Sequence, residues 1–257
     1  MLEEREQSSM RSLERSLGIL AILEESRVSL GLTDIAKASQ LSKATASRIL
    51  SVLERYGYVE KRWGRYRLGA AILPLAHAFV LGNELARVAQ PVLQELARIT
   101  EETASLSVRV GFKRVLVARV EGARPLNFVL PIGERLPLHV GAGKILAGSM
   151  SNEELERMLD ELGEMHLADG TPLTREQFWE ELAKVKRQGY TISLGERMLG
   201  IVALGAPVLD IDGSILAAVT LAGARERMTP EKIELACVSV RDAARIIGER
   251  YRGVKNP

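Results

Sequence analysis

Seven basic side chains crowd one thirty-residue stretch: Lys43, Arg48, Arg55, Lys61, Arg62, Arg65 and Arg67 lie between residues 40 and 69, opposed only by Glu54 and Glu60. That stretch is net +5 in a chain whose total is +2, so the remainder is net −3. Confined positive charge is the footprint of a surface that meets a polyanion, though by itself it favours the blander reading of a solvated basic face. The residue types add more. Lys43, Thr45, Ser47 and Arg48 combine long cationic donors with short hydroxyls, the set needed to touch base edges in a DNA major groove. Ser42, just ahead of them, can cap a helix and sit near a phosphate. Arg62 and Arg65 flank Trp63–Gly64, where they can straddle a backbone or enter a minor groove, and Arg67 joins the DNA-facing set.

These side chains need elements to position them. Leu13, Leu17, Leu20 and Ile22–Leu23 recur at helical spacing, with Ser12 as the expected cap and an end near Ser26. Thr33 is expected to cap a short helix that turns Ile35 and Ala36 inward, and it is counted with the DNA-facing set. After the turn Gln40–Leu41, Ser42 opens a helix whose apolar stripe is Ala46, Ile49, Leu50 and Leu53. Lys43, Thr45, Ser47, Arg48 and Ser51 are left for its other faces, and Gly57 is placed to close it. Two short β-prone runs then bracket Trp63–Gly64, a hairpin signal. Three helices and a basic hairpin predict an all-α winged helix-turn-helix with a small β-hairpin wing over residues 1–69. The order of elements, more than any one side chain, carries the expectation of binding to double-stranded DNA.

Residues 70–90 read as a helical linker, interrupted by Pro74 and broken at Gly82–Asn83. A helix follows from about Glu84 to Glu102, which Pro91 is expected to kink or restart. Beyond Thr103 the pattern becomes that of strands: S-L-S-V-R-V, R-V-L-V-A-R-V, Asn127–Pro131, Thr191–Ser193, Val202–Leu209 and Ile215–Leu221, with Asp212–Gly213 as a tight turn. Ser151-x-x-Glu154 and Thr174-x-x-Gln177 read as capping boxes, Gly189 as a helix end, and Thr229–Pro230 as the start of a helix to about Tyr251. Residues 91–257 are therefore expected to form an α+β domain with one mainly antiparallel sheet.

Composition narrows the classes. Hydrophobic residues make up 46% and charged residues 26%, an ordinary globular balance. No apolar run approaches the roughly 18 to 20 residues that span a bilayer, and residues 1–10 lack the apolar core of a secretory signal. One cysteine, Cys237, cannot make an intrachain disulfide or a multi-cysteine metal site. These features predict a cytoplasmic protein with no membrane partner and no cofactor. Cys237 falls on the stripe Ile233–Cys237–Val240–Ala244–Ile247, the spacing of a buried helix face, so a core thiol is expected. His139 is expected to hold its loop by a hydrogen bond, because no Cys or second His accompanies it as a metal partner. His77 and His166 have no partner motif and are expected to be structural or exposed. An enzyme would need a nucleophile–base pair or a metal cluster, and neither is found. Gly141-x-Gly143-Lys144 lacks the Walker spacing and the hydroxyl residue after lysine. A purely structural DNA-binding protein would have no use for the long α+β portion.

The chain resembles the IclR family of bacterial regulators over residues 12–223. S-L-E-R-S-L-G-I-L, L-T-D-I-A-K-A-S-Q-L-S-K-A-T-A-S-R-I-L and Y-G-Y-V-E-K match that family's first domain. P-L-H-V-G-A-G-K-I-L-A, G-Y-T-I-S-L-G-E-R-M-L-G-I-V-A-L-G-A-P-V-L-D and G-S-I-L-A-A-V-T-L-A-G match its second. The resemblance implies a GAF-like ligand-sensing C-terminal domain and a homodimer or homotetramer on palindromic operators. It implies a small-molecule effector on one face of the C-terminal sheet, with Gly141 and Ala142 at the rim, where backbone N–H groups can hold a carboxylate. Ser193, Ile201, Ala203, Thr220 and Ala222 match lining positions. Members that sense small hydrophilic acids tend to carry Asp, Cys and Ser where this chain has Ser193, Ala203 and Ala222. Each lost polar partner costs such an acid about 1–3 kcal/mol, so an apolar or aromatic effector is expected. The rim loop is also one residue shorter than usual between Ala142 and Gly143.

Overall fold

The computed structural model describes residues 2–124, 126 and 130–255, which divide into two compact units, residues 1–82 and 83–257. In the first, α1 (Leu2–Ser26), β1 (Leu30–Gly31), α2 (Leu32–Ala38) and α3 (Lys43–Arg55) precede the hairpin β2 (Val59–Arg62) and β3 (Arg65–Leu68), and α4 (Ile72–Gly82) follows. Its core is small. Ile19 and Leu23 of α1 meet Ile35 and Ala36 of α2, the whole apolar stripe of α3, and Val59 and Tyr66 of the hairpin.

Two helix starts differ from expectation. Nothing between Leu2 and Arg11 breaks a helix, so α1 runs through Ser12, which is interior and not a cap. Leu13 and Leu17 are exposed, and burial begins at Ile19. Thr33 does not cap α2 either. Leu30 and Gly31 pair with Tyr66 and Arg65, which keeps the chain extended up to Gly31. Gly31 is therefore the cap residue, its N–H accepted by Asp34 Oδ2 at 3.1 Å, and Thr33 stands exposed in the first turn.

Helix α3 starts and stops where its sequence signals lie. Ser42 Oγ accepts the Thr45 N–H at 3.2 Å. At the far end Gly57 takes φ +76, with its N–H on the Glu54 carbonyl and the Tyr58 N–H on the Leu53 carbonyl, both at 2.9 Å. That pair of bonds is a Schellman stop, and a Cβ would oppose it. Trp63 and Gly64 both take positive φ, as a type I′ hairpin turn requires. In α4, Pro74 falls in the first turn, where its missing N–H costs no intrahelical bond, and none of the helix's residues is buried.

The second unit contains α5 (Glu84–Thr100), β4 (Thr103–Val110), β5 (Lys113–Val120), β6 (Arg135–Pro137), α6 (Gly143–Ala147) and α7 (Asn152–Leu162). The short pair β7 (Met165–His166) and β8 (Pro172–Leu173) comes next, then α8 (Arg175–Gln188), β9 (Thr191–Leu194), β10 (Ile201–Leu209), β11 (Ile215–Ala224) and α9 (Pro230–Lys255). Six strands form one antiparallel sheet in the order β6-β5-β4-β11-β10-β9. Of the expected strand at Asn127–Pro131, residues 127–129 lie outside the described residues, and Leu130 and Pro131 carry no strand.

Side-chain alternation separates the two faces of this sheet. Val202, Leu204, Ala206 and Val208 of β10, with Ala217, Val219 and Leu221 of β11, pack against α5 and α9. Ala218 points the other way, into the core made by Leu146, Met158 and Phe178 of α6, α7 and α8. Helix α5 continues through Pro91 because its apolar face is buried on both sides of the proline, from Leu85 and Ala89 to Val92 and Leu96. Cys237 lies in the same core, where burial pushes its thiol pKa up. Both capping boxes form, Ser151 with Glu154 and Thr174 with Gln177.

The ladder between β4 and β5 is irregular. Leu106 of β4 faces Ala118 of β5, but the neighbouring Ser107 faces Leu116, so Val117 is an extra residue in the ladder. Such a bulge re-aims side chains. Val117 and Ala118 both enter the helix-side core, and residues on either side of them reach the opposite face. Among the described residues no helix is long and apolar enough to cross a membrane.

Candidate functional site

Each unit holds part of the expected chemistry. On α3, the Ser42 cap also brings its hydroxyl to 2.9 Å from Thr45 Oγ1, so these two short side chains order each other at the helix start. Lys43 and Arg48 are exposed, and neither forms an ion pair among the described residues. Ser47 is half-buried beside them. The N-terminal turns of α3 thus present two cations and three hydroxyls over one stretch of helix.

The wing arginines are positioned less freely. Glu60 pairs across the hairpin with Arg67 and along its strand with Arg62, whose Nε lies 3.1 Å from Glu60 Oε1. Arg65 turns back to the chain before β1, donating from Nε to the Ser29 carbonyl at 3.0 Å and to Ser29 Oγ at 3.1 Å. Lys61 lies over the Tyr66 ring at 5.3 Å, a cation–π contact across the strand pair. Trp63 is expected from the sequence only as part of the hairpin turn. It is 96% exposed at the hairpin tip, with φ +47, a conformation that bulky residues rarely hold.

In the second unit, strand register assembles a cavity. Ser193 of β9 faces Ala203 of β10, Ala203 faces Ala222 of β11, and Ala222 faces Thr103 of β4, a row across four strands. A second row runs through Gly205, Thr220, Ser105 and Arg119. With Ile201 and Gly141, these rows, Gly205 excepted, line a cavity of about 60 Å³ open to the centre of a water molecule. That is several times the roughly 10–15 Å³ one water needs, and it suits a small molecule. Gly141, Ser193, Ile201, Ala203, Thr220 and Ala222 are therefore brought together. Ala142 is not among the lining residues; its side chain packs in the core of α6, α7 and α8.

Arg114, Arg119 and Arg197 also line this cavity, and sequence reasoning named none of them. The run R-V-L-V-A-R-V looks like a strand with solvated ends, since strict alternation would put Arg114 and Arg119 on opposite faces. The bulge at Val117 turns both inward. Arg119 donates to the Leu130 carbonyl at 2.9 Å and pairs with Glu121 at 3.1 Å. Arg197 is drawn toward Glu134, although burial lowers its pKa. Arg114 is only 5% exposed, and its buried Nε has no hydrogen-bond partner among the described residues. Burial, then the charge of Arg197, pull Arg114 down to about 10. A Cβ on Gly141 would lie 3.7 Å from Arg114 Nη2 and 3.8 Å from Ser193 Oγ, so these three residues converge.

The rim is filled from within. The Gly141 N–H, expected to be open to an effector carboxylate, donates to Glu196 Oε2 at 2.8 Å. Glu196 Oε1 accepts from Lys144 Nζ at 2.8 Å, and Lys144, buried on α6, also reaches Glu181 at 3.1 Å. His139 lies next to this network. Its Nδ1 is buried without a hydrogen-bond partner among the described residues, so the loop-holding bond expected of it is not made there. Burial, reinforced by Lys113, lowers its pKa and favours the neutral ring.

Comparison with known proteins gives a consistent pattern. The family profile of the IclR helix-turn-helix domain matches residues 12–62, and that of the bacterial transcriptional regulator IclR C-terminal domain matches residues 77–249. The HTH-type transcriptional repressor AllR of Escherichia coli K12 is 29% identical over 244 residues, covering 94% of this chain and 90% of AllR. An IclR family transcriptional regulator from Brucella abortus has the same fold, with a TM-score of 0.80 at 22% identity over 96% of this chain and 95% of that one. An IclR homologue from Microbacterium hydrocarbonoxydans, solved in complex with 4-hydroxybenzoate, gives 0.71 at 22% identity, covering 94% and 99%.

Proposed function

The chain belongs to the IclR family of bacterial transcriptional regulators, which are DNA-binding proteins and not enzymes, and from that premise we propose how it reads DNA and what controls it. Ser42, Lys43, Thr45, Ser47 and Arg48 meet the major groove from α3, and Thr33 supports them from the first turn of α2. Arg62, Arg65 and Arg67 hold the flanking backbone from the wing. The exposed, unpaired cations on α3 beside ordered hydroxyls support this reading best, because base edges and phosphates are the partners such a surface lacks.

Residues 1–69 act as the DNA-binding domain, 70–90 as a helical linker, and 91–257 as a GAF-like domain for effector binding and oligomerisation. The protein works in the cytoplasm as a homodimer or homotetramer on a palindromic operator. Exposed Leu13 and Leu17 on α1, and Leu73, Leu75 and Phe79 on α4, support a second copy. A small apolar or aromatic molecule in the cavity alters DNA binding. Gly141, Ser193, Ile201, Ala203, Thr220 and Ala222 form its wall, with Ala142 behind the rim. The apolar lining supports this choice, and 4-hydroxybenzoate, held by a protein of the same fold, is a compound of that kind.

Protection mapping on a selected operator, with and without a panel of metabolites, tests the reading. Two protected half-sites about 10 base pairs or a multiple apart are expected, with occupancy that changes with at least one compound. A footprint without two-fold symmetry would remove the assembly. Occupancy indifferent to every compound would remove the sensor.

A further inference from the structure

We propose that Arg114 is the seat for a carboxylate on the effector, so that this protein senses a small apolar organic anion and discriminates against its neutral analogues. The inference rests on reading the cavity as the effector site. A side chain of this charge is almost never fully buried unless it is paired. Arg114 is buried on β5, has an Nε with no hydrogen-bond partner among the described residues, and faces the cavity beside Ser193 and Gly141. Nearby acids are engaged elsewhere. Glu196 is held by Lys144 and the Gly141 N–H, and Glu121 pairs with Arg119. Arg197, on the same cavity wall, adds positive potential and raises the cost of leaving Arg114 without an anion.

The geometry specifies the kind of anion. A guanidinium presents parallel N–H donors that match the two oxygens of a carboxylate, and a primary amide offers only one acceptor. The Ser193 hydroxyl, close to the same point, can donate to that carboxylate as well. Leu116, Leu136 and Ile201 line the rest of the cavity and leave its body apolar. The charged end of the molecule thus lies toward β5 and β9, and the rim N–H stays with Glu196.

Calorimetric titration of the full-length chain tests this with benzoate, phenylacetate and 4-hydroxybenzoate against the matched amides. The acids should bind at least about tenfold more tightly than their amides, the discrimination expected of a charge-assisted bidentate pair. Arg114→Met should remove acid binding and raise the melting temperature of the ligand-free protein. A merely structural arginine would lower the melting temperature instead. Arg114→Lys should retain weakened acid binding, which keeps the test open if the methionine variant does not fold. Amides that bind as tightly as acids, or acid affinity unchanged in both variants, would overturn the carboxylate seat and leave the sensor reading standing. If no acid or amide binds and none alters operator occupancy, both fall.

Discussion

The arginines described in the first unit stand in solvent, whereas Arg114, Arg119 and Arg197 of the second line a cavity. Arg48, Arg62 and Arg67 are exposed, and Glu60 is shared between the last two. Exposed pairs of this kind contribute little to stability, about 0–1 kcal/mol each. Arg114 has given up its hydration, and a buried ion without a partner costs several kcal/mol. The difference stems from the proposed targets. DNA carries dense charge and a counterion atmosphere, so hydrated cations suffice to bind it. A small molecule carries one charge and must be recognised where the dielectric is low and the geometry fixed.

The largest effect should come from the buried side. Folding lowers the pKa of Arg114 to about 10, well below the ordinary guanidinium value. The destabilisation is therefore present in full below about pH 10 and is relieved only as pH rises toward the ordinary value. Arg114→Met should then stabilise the ligand-free protein at neutral pH, on the order of 3 kcal/mol, in urea unfolding. No gain would mean that the charge is already compensated, and the contrast between the units would weaken. On the exposed side, Arg48→Ala should cost about 1–3 kcal/mol on operator DNA in a competition assay, and an equal loss on random DNA would remove its base-reading role. Arg62→Ala should weaken binding evenly across sequences and reduce the salt slope by about 1 in a salt titration. Trp63→Asn should be the smallest change, a gain of about 1 kcal/mol in thermal unfolding from relief of the left-handed backbone. A simultaneous fall in DNA affinity would mark the indole as a contact.

The same contrast explains what could be read from sequence. The head was legible because its signals are local: Ser42 and Gly57 bound α3 from adjacent residues, and its basic side chains cluster in one stretch. Ser12 and Thr33 misled because a cap is defined by the backbone around it. No breaker stops α1 before Ser12, and pairing with β3 holds Gly31 extended ahead of Thr33. In the second unit, the resemblance brought six of the wall positions to one cavity through strand register. It could not reveal Arg114 and Arg119, because a one-residue bulge at Val117 defeats the period of two on which strand faces are assigned. Arg197 escaped for a different reason, being in the irregular chain between β9 and β10.

The Glu196 carboxylate on the Gly141 N–H also sets a threshold. A group fixed in place by the fold competes at an effective concentration that a free solute does not reach. A free acid that relied on the rim N–H alone would have to outcompete this resident carboxylate, and dilute metabolites would be screened out before any contact with the wall was tested. Selectivity at the rim is then a matter of competition from within the chain, and mutating Glu196 would lower the concentration at which such acids gain entry.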